Sequence, residues 1–218
     1  MLLSDLIDEV INIVTDPSLG EQRIINLINE GYERVAARVT DPLPDLEKLD
    51  TVRTDTSLAY VNLPPDYHRN LEVAYDQSQR QNLRVLGSLQ LLSAEYPGLD
   101  HTGNIDCVAV MADSRLYYQG IPSTAHTLTL HYFKKPTIMV RDMQEPLALP
   151  SGLHRRLLVN YACKEIFSRT EDGMDGQKTN TNYHSNEYEK AFIELEKIVV
   201  PRSTSPIDIN DTVNRYLE

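Results

Sequence analysis

The chain has 218 residues, enough for one domain or for one domain that carries a sizeable insertion. Its net charge is −11, from 21 basic and 32 acidic residues, and such a surface argues against a protein that grips nucleic acid. Two cysteines, Cys107 and Cys163, exclude a disulfide framework and a thiolate zinc site, so we expect buried free thiols. Acidic residues near the N-terminus argue against a signal peptide, and no apolar run reaches the roughly 20 residues that a membrane span needs.

Two helices are predicted at the start of the chain. Apolar residues recur at helical spacing from Leu3 to Val14, and the pair Asp16-Pro17 then ends the first helix. The sequence from Ser18 to Glu21 has the Ser-x-x-Glu pattern of a capping box, which predicts the start of the second helix. That helix continues through Val39 and stops before the prolines that follow.

The middle of the chain is predicted to form short strands, because from about residue 46 apolar side chains alternate at a spacing of two. The clearest strand is Thr127–Phe133, in which Leu128, Leu130 and Tyr132 share one face. A short helix is predicted over Leu89–Tyr96. The other predicted strands are Ser57–Leu63, Leu71–Tyr75, Leu83–Leu86, Ile105–Ala112 and Arg115–Gln119. Many short strands separated by turns favour a small antiparallel sandwich or barrel.

Helical spacing returns after Leu149-Pro150, with Ser151 as the predicted N-cap, and a last helix runs to Val199. Neither helix pair can bury its apolar face alone. We therefore predict an α+β fold in which residues 1–44 and 149–200 form a four-helix bundle and residues 45–148 form an inserted β domain.

Residues 201–218 are predicted to form an extended C-terminal arm, because prolines and hydroxyl residues open this segment. Its second half nevertheless keeps several apolar groups, which a purely solvated tail rarely does. The arm is therefore expected to dock onto something. Its candidate binding residues are Pro201, Ile207, Ile209, Val213, Tyr216 and Leu217.

Two similar stretches, LPPDYHR at 63–69 and LPSGLHR at 149–155, place His68 and His154 beside arginines. Proline clusters of this kind usually mark turns, so we favour the interpretation that both stretches are turns with solvent-facing basic residues. The alternative is a two-histidine metal or acid–base site, which requires His68 and His154 to converge near a carboxylate. The sequence contains none of the common nucleotide-binding, metalloprotease or hydrolase motifs. We predict no catalytic residue, no cofactor and no metal, and interpret Asp172–Gly176 as a connecting loop rather than a calcium site.

The layout resembles the head-to-tail adaptor proteins of tailed bacteriophages, also called head-completion or tail-tube gatekeeper proteins. The resemblance covers about residues 3–200. It is carried by the stretches IINLINEGYERVAARV, LPPDYHRNLEV, TLTLHYFKKP and LPSGLHRRLLVNYACKEIF.

This resemblance implies a non-enzymatic virion protein that is assembled in the cytoplasm of the bacterial host. It implies a ring of twelve copies beneath the capsid portal, around a channel through which DNA passes without specific binding. Residues 201–218 would dock onto the portal protein, and the opposite side of the ring would receive the tail or nozzle protein.

Three alternatives remain at this point. One is another neck or tail component, such as a tail terminator. Another is a small enzyme or ligand-binding domain with a pocket between bundle and sheet, for which His68 and His154 are the best candidates. The third is a carbohydrate-binding β module, against which the absence of tryptophan counts.

Overall fold

The computed structural model of the protein describes residues 1–16, 19–39, 43–111, 114–140, 142–171 and 178–199. The chain divides into two compact units. The helical unit comprises Met1–Leu46 and the described residues from Pro136 onward, and the sheet unit comprises Glu47–Lys135. The predicted arm residues Pro201 to Leu217 and the predicted loop Asp172–Gly176 lie outside the described residues.

The described residues contain five α-helices, so the predicted mixture of helices and strands is confirmed. The third helix lies in the sheet unit and the other four lie in the helical unit; that these four form a regular four-helix bundle stays a prediction. The helices are α1 Leu3–Val14, α2 Glu21–Arg38, α3 Leu89–Glu95, α4 Asn160–Thr170 and α5 Thr179–Ile198.

The core of the helical unit is built from the apolar faces that helical spacing predicts. Helix α1 contacts α2 and α4, α2 also contacts α4, and α4 contacts α5. Leu6, Ile28 and Tyr161 are among the side chains that these contacts bury completely. Cys163 on α4 is a buried free thiol, as expected, and burial raises its pKa to about 12.

Both predicted helix caps are wrong. Helix α2 begins at Glu21, with Gly20 rather than Ser18 as its N-cap. Before α4 the chain forms a 3-10 turn at Ser151–Leu153 and a π-helix at Arg155–Val159, and Pro150 rather than Ser151 precedes the turn. The π-helix buries three consecutive residues, Leu157 to Val159. In an ordinary α-helix, one of three consecutive residues would face away from the core.

The described residues of the sheet unit contain nine strands. They are β1 Glu47–Arg53, β2 Tyr60–Asn62, β3 Tyr67–Asp76, β4 Gln81–Leu86, β5 Thr102–Gly103, β6 Cys107–Met111, β7 Arg115–Tyr118, β8 Ile121–Pro122 and β9 Thr127–Lys134. Seven of them form one sheet in the order β1-β9-β3-β4-β6-β7-β2, and β5 pairs with β8. The first and last strands of that order, β1 and β2, contact each other, so the sheet curls back on itself.

The prediction of a purely antiparallel sheet is wrong at two places. Strand β4 pairs with β6 in parallel, and β5 pairs with β8 in parallel. The connection from β4 to β6 contains α3 and β5, which is the crossover that a parallel pair requires.

One face of the curled sheet carries the core of the sheet unit. Leu128, Leu130 and Tyr132 of β9 are fully buried, whereas Thr127, Thr129 and His131 are only partly buried, which confirms the predicted alternation along this strand. Leu92 of α3 packs against Cys107 and Ala109 of β6 in a second, smaller cluster.

Candidate assembly surface

Residues 136–140 and 142–149 of the helical unit, here called the strap, are held against α2 by Asn29. The side-chain amide of Asn29 donates to the carbonyl of Met139, and its oxygen accepts from the amide of Met139, both at 2.8 Å. Asn29 thus pairs with one residue of the strap as a neighbouring strand would. Asn29 and Met139 are both buried, so these bonds form away from competing water.

The strap is held at further points by α1 and α2. The amide of Leu3, in the first turn of α1, donates to the carbonyl of Gln144 at 2.8 Å, and the amide of Ser4 donates to the carbonyl of Asp142 at 3.2 Å. Amides in the first turn of a helix lack partners within the helix, so the strap supplies them. Farther along, the amide of Ala148 donates to the hydroxyl of Tyr32 at 3.0 Å. The strap is therefore a fixed part of the helical unit.

Four large apolar side chains of this fixed segment point away from the helical unit. Ile138, Val140, Met143 and Leu147 are 57%, 68%, 78% and 77% exposed, and we call them the strap patch. Single exposed apolar residues are ordinary, but four of them on one short segment that hydrogen bonds hold in place make that segment a candidate interaction site. The strap patch is the candidate functional site of the described chain.

A comparison with protein families gives the context of this surface. A family model described as SU10 adaptor protein matches residues 1–210, nearly the whole chain. The chain belongs to the SU10 adaptor protein family. This is a family of phage head–tail adaptors, so the resemblance identified in the sequence is confirmed. No curated protein matches the chain.

Membership of this adaptor family indicates a structural role in the phage particle, in contact with other head or tail proteins. It favours a protein without catalysis. Among the described residues of the adaptor, no helix is both long enough and apolar enough to cross a membrane.

The adaptor uses His154 as a buried structural group, so its predicted exposure to solvent is wrong. The ring Nε2 lies 2.9 Å from the carbonyl of Leu149, and Nδ1 lies 3.1 Å from the amine of Met1. Burial lowers the pKa of His154, which favours the neutral ring that this pair of contacts requires. His68 is a partly buried residue of β3 in the sheet unit, and its side chain or backbone has an interaction partner.

Sequence reasoning missed one charged cluster in the sheet unit of the adaptor. Glu47 of β1, Glu72 of β3 and His131 of β9 offer ligand atoms within 4.8 Å of one another. His131 Nε2 contacts a carboxylate oxygen of Glu47, and Nδ1 lies 3.6 Å from Glu72. Each ring nitrogen of His131 faces a carboxylate, so the three side chains link three strands of the sheet. Only the strand register, which pairs His131 with Leu49 and Val73, brings these residues together.

An open cleft of about 460 Å³ lies in the helical unit among α1, the π-helix and the start of α5. Its charged side chains are engaged with neighbours of the same unit: Arg155 binds Glu9, and Arg156 binds Glu194. His184, which also lines the cleft, places Nδ1 2.8 Å from the side-chain oxygen of Asn160. The polar groups of the cleft thus serve packing between helices, which fits a structural adaptor.

Proposed function

We propose that the adaptor is a ring-forming subunit of the phage neck, with twelve copies that join the capsid portal to the tail and line the channel for DNA exit. The observation that carries this proposal is the family match over residues 1–210. The proposal goes beyond family membership in three respects: the ring, its number of copies and the contact with the portal. We further propose that the protein catalyses no reaction and takes no cofactor.

Two features of the chain support a ring around DNA. The net charge of −11 suits a channel through which a polyanion must slide without being held. The strap patch supplies apolar surface of the kind that a protein neighbour covers. A closed ring is a head-to-tail assembly, so each subunit needs two different complementary surfaces.

We propose that the C-terminal arm, residues 201–218, binds the portal protein through its apolar residues, with Ile207 and Ile209 as central anchors. A few buried apolar residues supply most of the affinity of a protein interface, so these side chains are the ones that we expect to carry the contact. In this arrangement residues 1–44 and 149–200 form the bundle domain, to which the strap is fixed. The strands within residues 45–148 form the inserted β domain, and the opposite side of the ring meets the tail.

Mass photometry of the purified chain, alone and mixed with the portal protein of the same phage, tests the ring. Twelve copies of the 24.8 kDa chain give a particle of about 298 kDa, either free or added to the portal. A chain that stays monomeric and ignores the portal would refute the proposal.

Deleting residues 201–218 tests the arm. We expect a folded protein with an unchanged melting temperature that no longer binds the portal. A full-length variant with Ile207→Asp and Ile209→Asp should lose portal binding in the same way, since it removes the anchors and keeps the length. Unfolding of the truncated chain would instead mean that the arm belongs to the core.

A further inference from the structure

Glu47, Glu72 and His131, here called the three-strand cluster, lie on the face of the sheet that does not carry the core of the sheet unit. Strand β9 buries Leu130 and Tyr132 on the core face, so His131 points to the other face. Strands β1 and β3 pair with β9 on its two sides, and each of them contributes one glutamate. One possible ligand atom of each residue lies within 4.8 Å of the other two.

An irregularity in β3 brings Glu72 to this face of the sheet. Val73 pairs with His131, and successive residues of a regular strand point to opposite faces, so regular pairing would turn Glu72 toward the core. The pairing of β3 with β9 shifts its register between Arg69 and Val73, and Asn70 within this stretch has a positive φ of 53°. Bulges of this kind redirect side chains and are frequent beside functional sites.

The charges of the three-strand cluster require a cation. A carboxylate oxygen of Glu47 contacts Nε2 of His131, and an oxygen of Glu72 lies 3.6 Å from Nδ1. A neutral imidazole donates from one nitrogen only, so one of the two carboxylates faces a nitrogen lone pair. The two negative groups also repel each other, and this repulsion is stronger at a partly buried site than in water. A second proton on the ring or a metal ion would supply the positive charge that offsets it.

The distances in the cluster favour a metal ion. At 3.6 Å, Nδ1 of His131 and the oxygen of Glu72 are too far apart to share a hydrogen bond. Zinc binds imidazole nitrogen and carboxylate oxygen at about 2.1 Å, so two ligands of a tetrahedral site lie roughly 3.4 Å apart. Glu47 is exposed, and its flexible side chain can adjust within the 4.8 Å limit to bring an oxygen to the same ion.

We propose that Glu47, Glu72 and His131 bind one divalent transition-metal ion of the zinc class, with water at the remaining coordination position. An imidazole combined with carboxylates suits zinc better than calcium or magnesium, which prefer oxygen ligands alone. Strand β1 stands first in the strand order, and the ion would tie it to both β9 and β3. The ion is structural and takes part in no reaction, so the proposed absence of catalysis stands. This site replaces the sequence-based expectation of no metal.

Isothermal titration calorimetry with zinc chloride tests the site on the full-length chain, prepared without a histidine tag and freed of metal with EDTA. We expect one zinc ion to bind per chain. At a zinc concentration about 100 times the dissociation constant, the melting temperature should rise by roughly 5–11 °C, because the ion binds the folded chain in preference to the unfolded chain. Calcium and magnesium at the same concentration should give a much smaller shift.

Three single variants test the ligands: Glu47→Gln, Glu72→Gln and His131→Gln. Glutamine keeps the size of a glutamate side chain, and circular dichroism in EDTA checks that each variant folds. Each variant should bind zinc at least about 10-fold more weakly than the wild type, since even a change beside a metal ligand typically costs about 10–100-fold. His101→Gln is the matched control: His101 is an exposed histidine of the sheet unit outside the cluster, so its replacement should leave zinc binding unchanged.

Three results would overturn the site: a wild-type chain that binds no zinc, zinc binding that all three variants retain, or a loss in His101→Gln as large as the loss in His131→Gln. In the first case a proton on His131 supplies the positive charge, and the cluster is an ion pair alone. If one variant does not fold, the other two still decide the result. Every measurement uses the isolated chain, so its outcome is independent of the proposed ring and of portal binding.

Discussion

Replacing Asn29 by alanine tests whether the strap is held in place by its two bonds to this side chain. The substitution removes both partners of Met139, the amide donor and the carbonyl acceptor, at a site that water does not reach. It leaves every apolar contact of the strap patch unchanged. Any loss of stability therefore reports the cost of leaving these two backbone groups unpaired.

The expected loss follows from the burial of the two groups. A buried donor or acceptor left without a partner costs about 1–3 kcal/mol, so two of them cost roughly 2–6 kcal/mol. Alanine is the better helix former, which offsets this by up to about 0.7 kcal/mol. The net loss is then about 1.3–6 kcal/mol. For a protein of this size each kcal/mol lowers the melting temperature by about 2–4 °C, so we expect a decrease between roughly 3 and 24 °C.

Urea unfolding followed by circular dichroism measures the loss, with Asn26→Ala as the matched control. Asn26 lies about one turn earlier on α2 and is exposed, where it accepts a hydrogen bond from Gln22 at 3.1 Å. Its replacement should change the free energy of unfolding by no more than about 0.5 kcal/mol. A loss below about 1 kcal/mol for Asn29→Ala, or a Met139 amide that stays protected from hydrogen exchange, would refute the reasoning.

Two further predictions concern the helical unit. Gly31→Ala should destabilise by about 1–3 kcal/mol despite the helix preference of alanine, because its Cβ would lie 2.8 Å from Cδ1 and 3.2 Å from Cβ of Tyr161. Gly152→Ala, with no atom within 4 Å, is the control, and equal effects in urea unfolding would contradict the clash. Burial lowers the pKa of His184 below its ordinary 6.5, so the unfolded chain takes up this proton first and stability falls as the pH drops through 6.5. His184→Gln should therefore weaken the dependence of the urea midpoint on pH between about 7.5 and about 5.5, and an unchanged slope would exclude this histidine as a cause.

The spacing of apolar residues was enough to predict those helices and strands whose buried face is determined by their own sequence. The apolar residues of α1 and α2 repeat every three to four positions, and the structure buries Leu6 and Ile28 as that spacing predicts. The alternation of Thr127–Phe133 likewise predicted both the strand and its buried face. In each case one element carries the whole signal.

Elements set by distant partners could not be predicted in this way. Strand β1 reads EKLDTVR, with charged residues at both ends and no apolar alternation, and it forms because Glu47–Arg53 pairs along β9, about eighty residues later. The parallel pairing of β4 with β6 depends on the path of the crossover through α3. The π-helix Arg155–Val159 buries three consecutive residues, and their burial depends on the helices that pack around it. These outcomes are tertiary, so local propensity does not specify them.

The strap shows why an assembly surface is harder to predict than a core. Along Ile138-Met139-Val140 all three side chains are apolar, so alternation cannot tell which face the chain covers itself and which face it leaves for a partner. The deciding residue is Asn29, a polar group on the buried face of α2, where it must find partners to offset its burial. Because those partners are the backbone of Met139, this side chain turns inward and its two neighbours turn outward. An asparagine within an otherwise apolar helical face was thus the available sequence signal for the orientation of the strap patch.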